Sequence, residues 1–155
     1  MRWAAPYCCP PILRGVSASQ IRADHAANQA GWQRSIGDYM AGRTLGIIGL
    51  GNVGSGVAKV GLAFGMNVTA WSQNLTSVAA EAVGARLVSK EELLQTADVV
   101  SIHTVLSPRT VGLIGAEELA MMKSSARLIN TSRGPIVVET TLVDALVNHR
   151  LQVRQ

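Results

Sequence analysis

One junction constrains the fold more than any other feature: a short aliphatic run that passes directly into a glycine-rich loop. The run is TLGIIGL, residues 44–50, and its length and flanking glycines are typical of a strand that is buried on both faces. From Asn52 onward, apolar residues recur at spacings of three and four, which predicts a helix that ends at Gly65. The loop has the pattern G-x-G-x-x-G, formed by Gly49, Gly51 and Gly54.

The rest of the chain repeats this alternation of short apolar runs and segments with helical periodicity. Ser89 and Glu92 form a capping-box pattern at the start of one of these helices. Alternating strands and helices predict an α/β fold, a doubly wound parallel sheet in three αβα layers. Further strands are predicted at 66–71, 85–88, 98–104 and 126–132, and further helices at 77–83, 90–97, 115–123 and 139–149.

Length and composition indicate one domain with a preceding segment. A chain of 155 residues that is 48% hydrophobic and 15% charged has room for one core and is not a disordered chain. Three prolines predict that residues 1–16 are irregular, and an alanine-rich stretch predicts a connecting helix (17–31) and linker up to residue 41. We therefore assign 42–150 to the sheet domain.

Several classes of partner are disfavoured by composition. The net charge is +4, but the basic residues are dispersed and form no patch that would follow a nucleic-acid backbone. No uncharged apolar window of membrane-spanning length occurs, so we expect no membrane insertion. Cys8 and Cys9 are adjacent and cannot join distant segments, which favours a reducing cytoplasm. We also expect no metal site.

The glycine pattern predicts a dinucleotide site because it lies between a strand and a helix. In such a loop Gly49 permits the tight turn, Gly51 lets the backbone approach a pyrophosphate, and Gly54 lets helix and strand pack closely. The N-terminus of the helix offers unpaired N–H groups and partial positive charge to phosphates. The alternative interpretation is that these glycines only serve a tight turn.

The residue at the end of the second strand leaves the choice between NAD and NADP open. A carboxylate at this position holds the ribose hydroxyls of NAD. Here the strand ends in Ser72, which forms a hydrogen bond but has no charge to repel a 2′-phosphate. No Arg or Lys follows within several residues, so the sequence gives no positive signal for NADP either. Alternatively, Ser72 belongs to a solvated turn.

Three segments together resemble the nucleotide-binding domain of the D-isomer-specific 2-hydroxyacid dehydrogenases, the group that includes phosphoglycerate, glycerate and D-lactate dehydrogenases. They are LGIIGLGNVGSGVAKVGLAFGMNV (45–68), TADVVSIHTVLSPRTVGLIGAEELAMMK (96–123) and ARLINTSRGPIVVETTLVDAL (126–146). The resemblance runs from about Ile21 to Asn148. It implies a Rossmann fold with a nicotinamide cofactor across the ends of the first and fourth strands.

The resemblance also implies roles for individual residues. Arg133 corresponds to the arginine that binds the substrate carboxylate and polarises its 2-oxo group, a role that suits a planar, permanently charged guanidinium. His103 would lie near the cofactor without being the proton donor, and Arg109 would lie in a polar turn near the adenosine. The other implied contacts are Asn52 and Val53 to the pyrophosphate, Ser72 to the adenosine ribose, Thr104 to the cofactor, and Thr131 and Ser132 to the nicotinamide.

The family's catalytic histidine and glutamate lie downstream of the matching segments, and its substrate domain flanks them on both sides. We therefore expect the cofactor domain of an oxidoreductase that transfers hydride between NAD(P) and a D-2-hydroxy or 2-oxo acid, with a sheet that is incomplete at its C-terminal end. This chain alone would be inactive, and a small acid would bind only with the missing domain supplied. A non-catalytic dinucleotide-binding or subunit-interaction module is the alternative. Uncovered apolar surface and strand edge predict a homo-oligomer.

Overall fold

The computed structural model describes residues 39–148, in which five strands alternate with helices. The predictions for 1–16 and 17–31 lie outside the described residues. The strands are β1 (Thr44–Ile48), β2 (Asn67–Trp71), β3 (Arg86–Leu87), β4 (Val99–Ile102) and β5 (Arg127–Asn130). The helices are α1 (Asn52–Ala63), α2 (Ser77–Glu81), α3 (Lys90–Thr96), α4 (Ala116–Met121) and α5 (Glu139–Val147), with a 3₁₀ turn at Gly134–Ile136.

The strands form a single parallel sheet in the order β3-β2-β1-β4-β5. The first of the described strands is therefore central, with β2 along one edge and β4 along the other. Successive strands are added on one side of β1 up to β3 and on its other side from β4 onward, and in folds of this kind ligands bind at the carboxyl ends of the strands beside that switch point. The predicted doubly wound α/β sheet is confirmed.

Alternate side chains of β1 enter two separate cores. Leu45 and Ile47 are buried with Val57 of α1 on one face. On the other face Gly46 lies so close to α3 that a Cβ at this position would be 2.6 Å from the Leu93 Cδ2 atom. Helices α3, α4 and α5 contribute to this second core. The sheet thus lies between two helical layers, as the sequence predicted.

The observed elements are shorter at several ends than the predicted ones. Strand β4 begins after Asp98, whose carboxylate accepts hydrogen bonds from the Thr44 N–H (2.8 Å) and from Lys123 Nζ (2.9 Å). Asp98 is thus a structural residue. The strand ends at Ile102, so His103 and Thr104, predicted within it, begin the following loop.

Candidate functional site

A cleft with a volume of about 410 Å³ opens at the carboxyl ends of β1, β2 and β4. Its walls are the glycine loop after β1, the turn after β2 and the loop after β4. The lining residues are Gly49, Leu50, Gly51, Trp71, Ser72, Gln73, Asn74, Leu75, His103, Thr104, Val105, Arg109, Thr110 and Leu113.

Gly49 brings the first and fourth strands together at the base of this cleft. Its φ of 97° lies in the left-handed region, which side chains other than glycine rarely adopt. A Cβ at this position would be 2.9 Å from the backbone of His103 and from the Thr104 methyl group. The Gly49 N–H also donates to the Trp71 carbonyl at 2.8 Å. These contacts fix the loop between the ends of β2 and β4.

Gly51 and Gly54 differ in what surrounds them. Gly51 is exposed, and a Cβ there would have no atom within 4 Å. Gly54 is buried, and a Cβ there would overlap the Gly49 carbonyl oxygen and come within 3.2 Å of the Ile47 Cγ2 atom. The second glycine therefore leaves open space for a ligand beside the backbone, and the third lets α1 pack directly on β1.

The N-terminus of α1 presents unpaired N–H groups at the glycine loop. The first hydrogen bond of the helix is from the Ser55 N–H to the Gly51 carbonyl (2.8 Å), and no side chain caps the terminus. The preceding N–H groups of Asn52, Val53 and Gly54 therefore lack acceptors among residues 39–148. A twelve-residue helix carries partial positive charge at this end. The arrangement suits the phosphates of a dinucleotide.

The described residues that line the cleft include a positive charge and no negative charge. Ser72 ends the β2 wall and is half-buried, with Gln73 and Asn74 exposed beside it. None of the described residues that line the cleft is acidic, whereas Arg109 contributes a positive charge from the opposite wall. The cleft therefore lacks a carboxylate for the ribose hydroxyls and is compatible with an additional phosphate.

The end of β4 places a histidine and an unpaired hydroxyl at the cleft. Ser101 Oγ is fully buried and lies 2.8 Å from His103 Nε2. Burial lowers the pKa of His103, which favours the neutral imidazole. The buried Thr104 Oγ1 has no hydrogen-bond partner in the described part of the chain. Because buried hydroxyls normally have partners, this unpaired hydroxyl in a residue of the cleft wall is an exception.

Thr131, Ser132 and Arg133 lie beyond β5 and do not line the cleft. The Ser132 hydroxyl donates to the Ile102 carbonyl at 3.2 Å, which ties this segment to the end of β4. Arg133 is exposed, and its Nη1 donates to the Ser132 carbonyl at 2.8 Å. The structure thus brings Gly49, Gly51, Ser72 and Thr104 around one cleft, with Asn52, Val53 and Gly54 on the adjoining helix, and leaves 131–133 to one side.

Sequence reasoning missed the role of Thr110 in shaping the cleft. Its hydroxyl donates to the Val105 carbonyl and accepts from the Ser107 N–H, both at 2.8 Å. These bonds close the loop that carries Arg109. The spacing of Ser107 and Thr110 is a signal that could have been used, because serine and threonine side chains often fasten turns three residues apart.

Two further properties concern residues 39–148 alone. No group of three histidine, cysteine or acidic side chains is placed to hold a metal ion in this part of the chain. None of its helices combines the length and apolar character that a bilayer span requires.

Comparison with known proteins shows several related dehydrogenases. The chain is 41% identical over 119 residues to D-3-phosphoglycerate dehydrogenase of Bacillus subtilis, covering 76% of this chain and 23% of the relative. It is 40% identical over 144 residues to glyoxylate reductase of Aeropyrum pernix, covering 87% and 43%. The chain thus spans less than half the length of these relatives.

A solved dehydrogenase structure shows that the similarity extends to the fold. The D-lactate dehydrogenase of Aquifex aeolicus, complexed with NAD and lactic acid, superposes with a TM-score of 0.80 at 32% identity, covering 90% of this chain and 42% of that one. Residues 13–154 match the family described as D-isomer specific 2-hydroxyacid dehydrogenase, NAD binding domain. The chain therefore belongs to the D-isomer-specific 2-hydroxyacid dehydrogenases and carries their NAD-binding domain.

Proposed function

We propose that this chain is the cofactor-holding part of an oxidoreductase that interconverts a D-2-hydroxy acid and its 2-oxo acid. The observation that carries the proposal is the open space at Gly51, bordered by the uncapped N-terminus of α1. A pyrophosphate fits this cradle because nothing in the described chain fills the space or pairs with the N–H groups. When bound, the nicotinamide ring accepts or delivers the hydride.

Different residues in and beside the cleft bind different parts of the cofactor in this proposal. The N–H groups of Asn52 and Val53 donate to the pyrophosphate, with Gly49 and Gly54 keeping loop and helix in place. Ser72 donates or accepts a hydrogen bond at the adenosine ribose, and the unpaired hydroxyl of Thr104 binds the cofactor beside β4. Both NAD and NADP are compatible with a cleft that has no acidic lining residue.

The segment after β5 binds the substrate in this proposal. Thr131 and Ser132 line the nicotinamide side, and Arg133 binds the carboxylate of a small 2-hydroxy or 2-oxo acid while polarising its 2-oxo group. Two features support this role for Arg133. Its guanidinium is exposed, and it forms no ion pair with the acids of residues 39–148.

A proton donor for the reaction is not apparent among residues 39–148. His103 is the one histidine in this range, and its Nε2 atom is engaged by Ser101. We propose that residues 42–150 bind cofactor, that 17–41 connect them to an irregular segment at 1–16, and that acid–base catalysis requires a substrate domain. The chain alone would therefore bind cofactor without turnover, since a general acid contributes a rate factor of about 10² to 10⁴.

We also propose that the protein is cytoplasmic and self-associating. Strand β5 lies at one edge of the described sheet, and Val143 and Val147 of α5 are 50% and 70% exposed. Exposed strand edges and apolar side chains favour association. Light scattering across a concentration series is expected to give a mass above that of the monomer. A monomer at the highest concentration would exclude self-association.

Calorimetric titration with NADH and with NADPH tests the proposed cofactor site. We expect saturable binding that Gly51→Val abolishes, because the new side chain occupies the space beside the backbone. Gly134→Val is the matched control, since a Cβ there also has no atom within 4 Å but lies outside the cleft. Circular dichroism and thermal unfolding establish that each variant is folded. A folded wild-type chain that binds neither cofactor would refute the proposal.

A further inference from the structure

We propose that Arg109 binds the 2′-phosphate of NADP(H) and makes NADPH the preferred cofactor. This inference rests on the proposed function, because it assigns a phosphate-binding residue within the same cleft. Arg109 lies in the loop after β4, whereas Ser72, the residue next to the ribose in our proposal, directly follows β2. These two strands flank β1 on opposite sides, so their loops face each other across the cleft.

The loop that carries Arg109 is held in a defined conformation. Thr110 Oγ1 bonds to the Val105 carbonyl and the Ser107 N–H, and the Thr110 N–H donates to the Ser107 carbonyl at 2.9 Å. Pro108 further restricts the backbone between them. The base of the Arg109 side chain is therefore fixed at the wall of the cleft, so less conformational entropy is lost when its guanidinium binds a ligand.

The charge of Arg109 is not paired with an acidic side chain of residues 39–148. The ion pairs of residues 39–148 that we observe join Arg86 to Glu92, Lys90 to Glu118 and Lys123 to Asp98. Arg109 joins none of them, and no acidic residue of the described chain lines the cleft around it. A guanidinium in this position is suited to a phosphate, to which it can donate two parallel hydrogen bonds.

The opposite wall is also permissive for a phosphate. Ser72, Gln73 and Asn74 are uncharged and can donate hydrogen bonds to phosphate oxygens. A carboxylate at position 72 would instead repel the phosphate and accept hydrogen bonds from the ribose hydroxyls of NAD. Among residues 39–148, the cleft is therefore lined by one cation and no anion.

The adenine ring offers Arg109 a different partner, and this alternative has a separate experimental signature. A guanidinium stacked on adenine would strengthen NADH and NADPH binding to the same extent, since both contain the base. A guanidinium bound to the 2′-phosphate strengthens NADPH binding alone. The ratio of the two affinities therefore distinguishes the roles.

The test is titration of the full 155-residue chain and its Arg109→Gln variant with NADPH and NADH at two salt concentrations. We expect the wild-type chain to prefer NADPH and Arg109→Gln to weaken NADPH binding by about ten- to hundredfold, the usual effect of removing a charge-assisted hydrogen bond. NADH binding should change by less than about twofold. Salt should weaken NADPH binding more than NADH binding in the wild type.

Two further variants complete the design. Lys59→Gln removes the same charge from the exposed face of α1, outside the cleft, and should leave the ratio of affinities unchanged. Ser72→Asp should shift the preference toward NADH. Equal weakening of both cofactors by Arg109→Gln, or a wild-type preference for NADH, would overturn the inference while leaving the proposed function intact. Failure of the folded wild type to bind either cofactor would overturn both.

Discussion

The glycine loop at 49–54 and the segment at 131–133 follow β1 and β5, which have β4 between them in the sheet, and the two are built differently. In the loop, backbone atoms contact backbone atoms, so that Gly49 and Gly54 have no room for a Cβ. In the 131–133 segment, Thr131 and Arg133 are exposed, and the hydrogen bonds observed for Arg133 are to its near neighbours. The cofactor side of the site is thus formed by the fold itself. The proposed substrate side consists of side chains that would complete a site only together with the proposed substrate domain.

Gly54→Ala should have the largest effect on stability, because it disturbs the part of the site that the backbone forms. The added methyl group would overlap the Gly49 carbonyl oxygen, and neither backbone segment can move without displacing α1 from β1. We expect a loss of about 3 kcal/mol or more in the free energy of unfolding, at the upper end for overpacking. Chemical denaturation measures this loss. Gly51→Ala, with no atom near the new methyl group, is the control and should retain wild-type stability.

Asp98→Asn tests whether the amino ends of the central strands are as firmly held as the glycine loop. The substitution removes the charge that binds Lys123 and weakens the hydrogen bond from the Thr44 N–H. We expect a loss of about 1 to 2 kcal/mol in unfolding free energy at neutral pH. Urea denaturation of both proteins measures it, and an unchanged midpoint would show that the carboxylate is dispensable.

The effect of Asp98→Asn should depend on pH in a specific direction. Burial alone raises the pKa of Asp98, but the Thr44 N–H and Lys123 outweigh it and hold this pKa below its ordinary value of 3.8. The carboxylate therefore stabilises the fold fully above about pH 3.8, and this contribution is lost as pH falls through the lowered pKa. The difference between variant and wild type should shrink in acid. A difference that grows in acid contradicts this account.

Thr104→Val should change the unfolding free energy and the cofactor affinity in opposite directions. The buried hydroxyl of Thr104 has no partner in residues 39–148, so an isosteric methyl group should raise the unfolding free energy by about 1 kcal/mol while weakening cofactor binding. Thr69→Val is the matched control, because the Thr69 hydroxyl is also buried and unpaired but does not line the cleft. It should stabilise without affecting binding. Equal effects of the two variants on binding would remove Thr104 from the site.

Arg133→Gln should have the smallest effect in the isolated chain. The side chain is exposed and bonds only to the adjacent carbonyl of Ser132 among the contacts observed, so unfolding free energy should change by less than about 0.5 kcal/mol. Cofactor affinity should be unchanged because Arg133 does not line the cleft. Parallel unfolding and titration experiments measure both quantities. A large loss in either one would show that the 131–133 segment is integral to the cofactor site.

Local signals in the sequence were sufficient for most elements of the fold. The aliphatic run predicted β1, and the Ser89 hydroxyl accepts from the Glu92 N–H at 3.1 Å, as its spacing predicted. The ends of strands were less predictable because they depend on pairing with distant segments. Strand β3, predicted as 85–88, is reduced to Arg86–Leu87, the two residues in register with Thr69 and Ala70 of β2.

The composition of the cleft was predictable only in part. The glycine pattern identified the loop, and resemblance to a family suggested that Arg109 lies near the adenosine. No Arg or Lys closely follows Ser72 in the sequence, so a cation near it was not predictable from the neighbouring residues. The strand order brings Arg109 to the opposite wall, and that order is a property of the whole sheet. The bond between Ser101 and His103 could have been predicted from the sequence, since alternate residues of a strand share a face.

The central position of β1 has a consequence for synthesis on the ribosome. Among the described strands this one is translated first, but its second edge pairs with β4, and the bond from Thr44 to Asp98 spans 54 residues. Until that length of chain has been translated, the aliphatic edge of β1 is unpaired and able to bind other nascent strands. Slow translation between β2 and β4 would prolong this interval, so the yield of folded protein should depend on the rate at which that stretch is decoded.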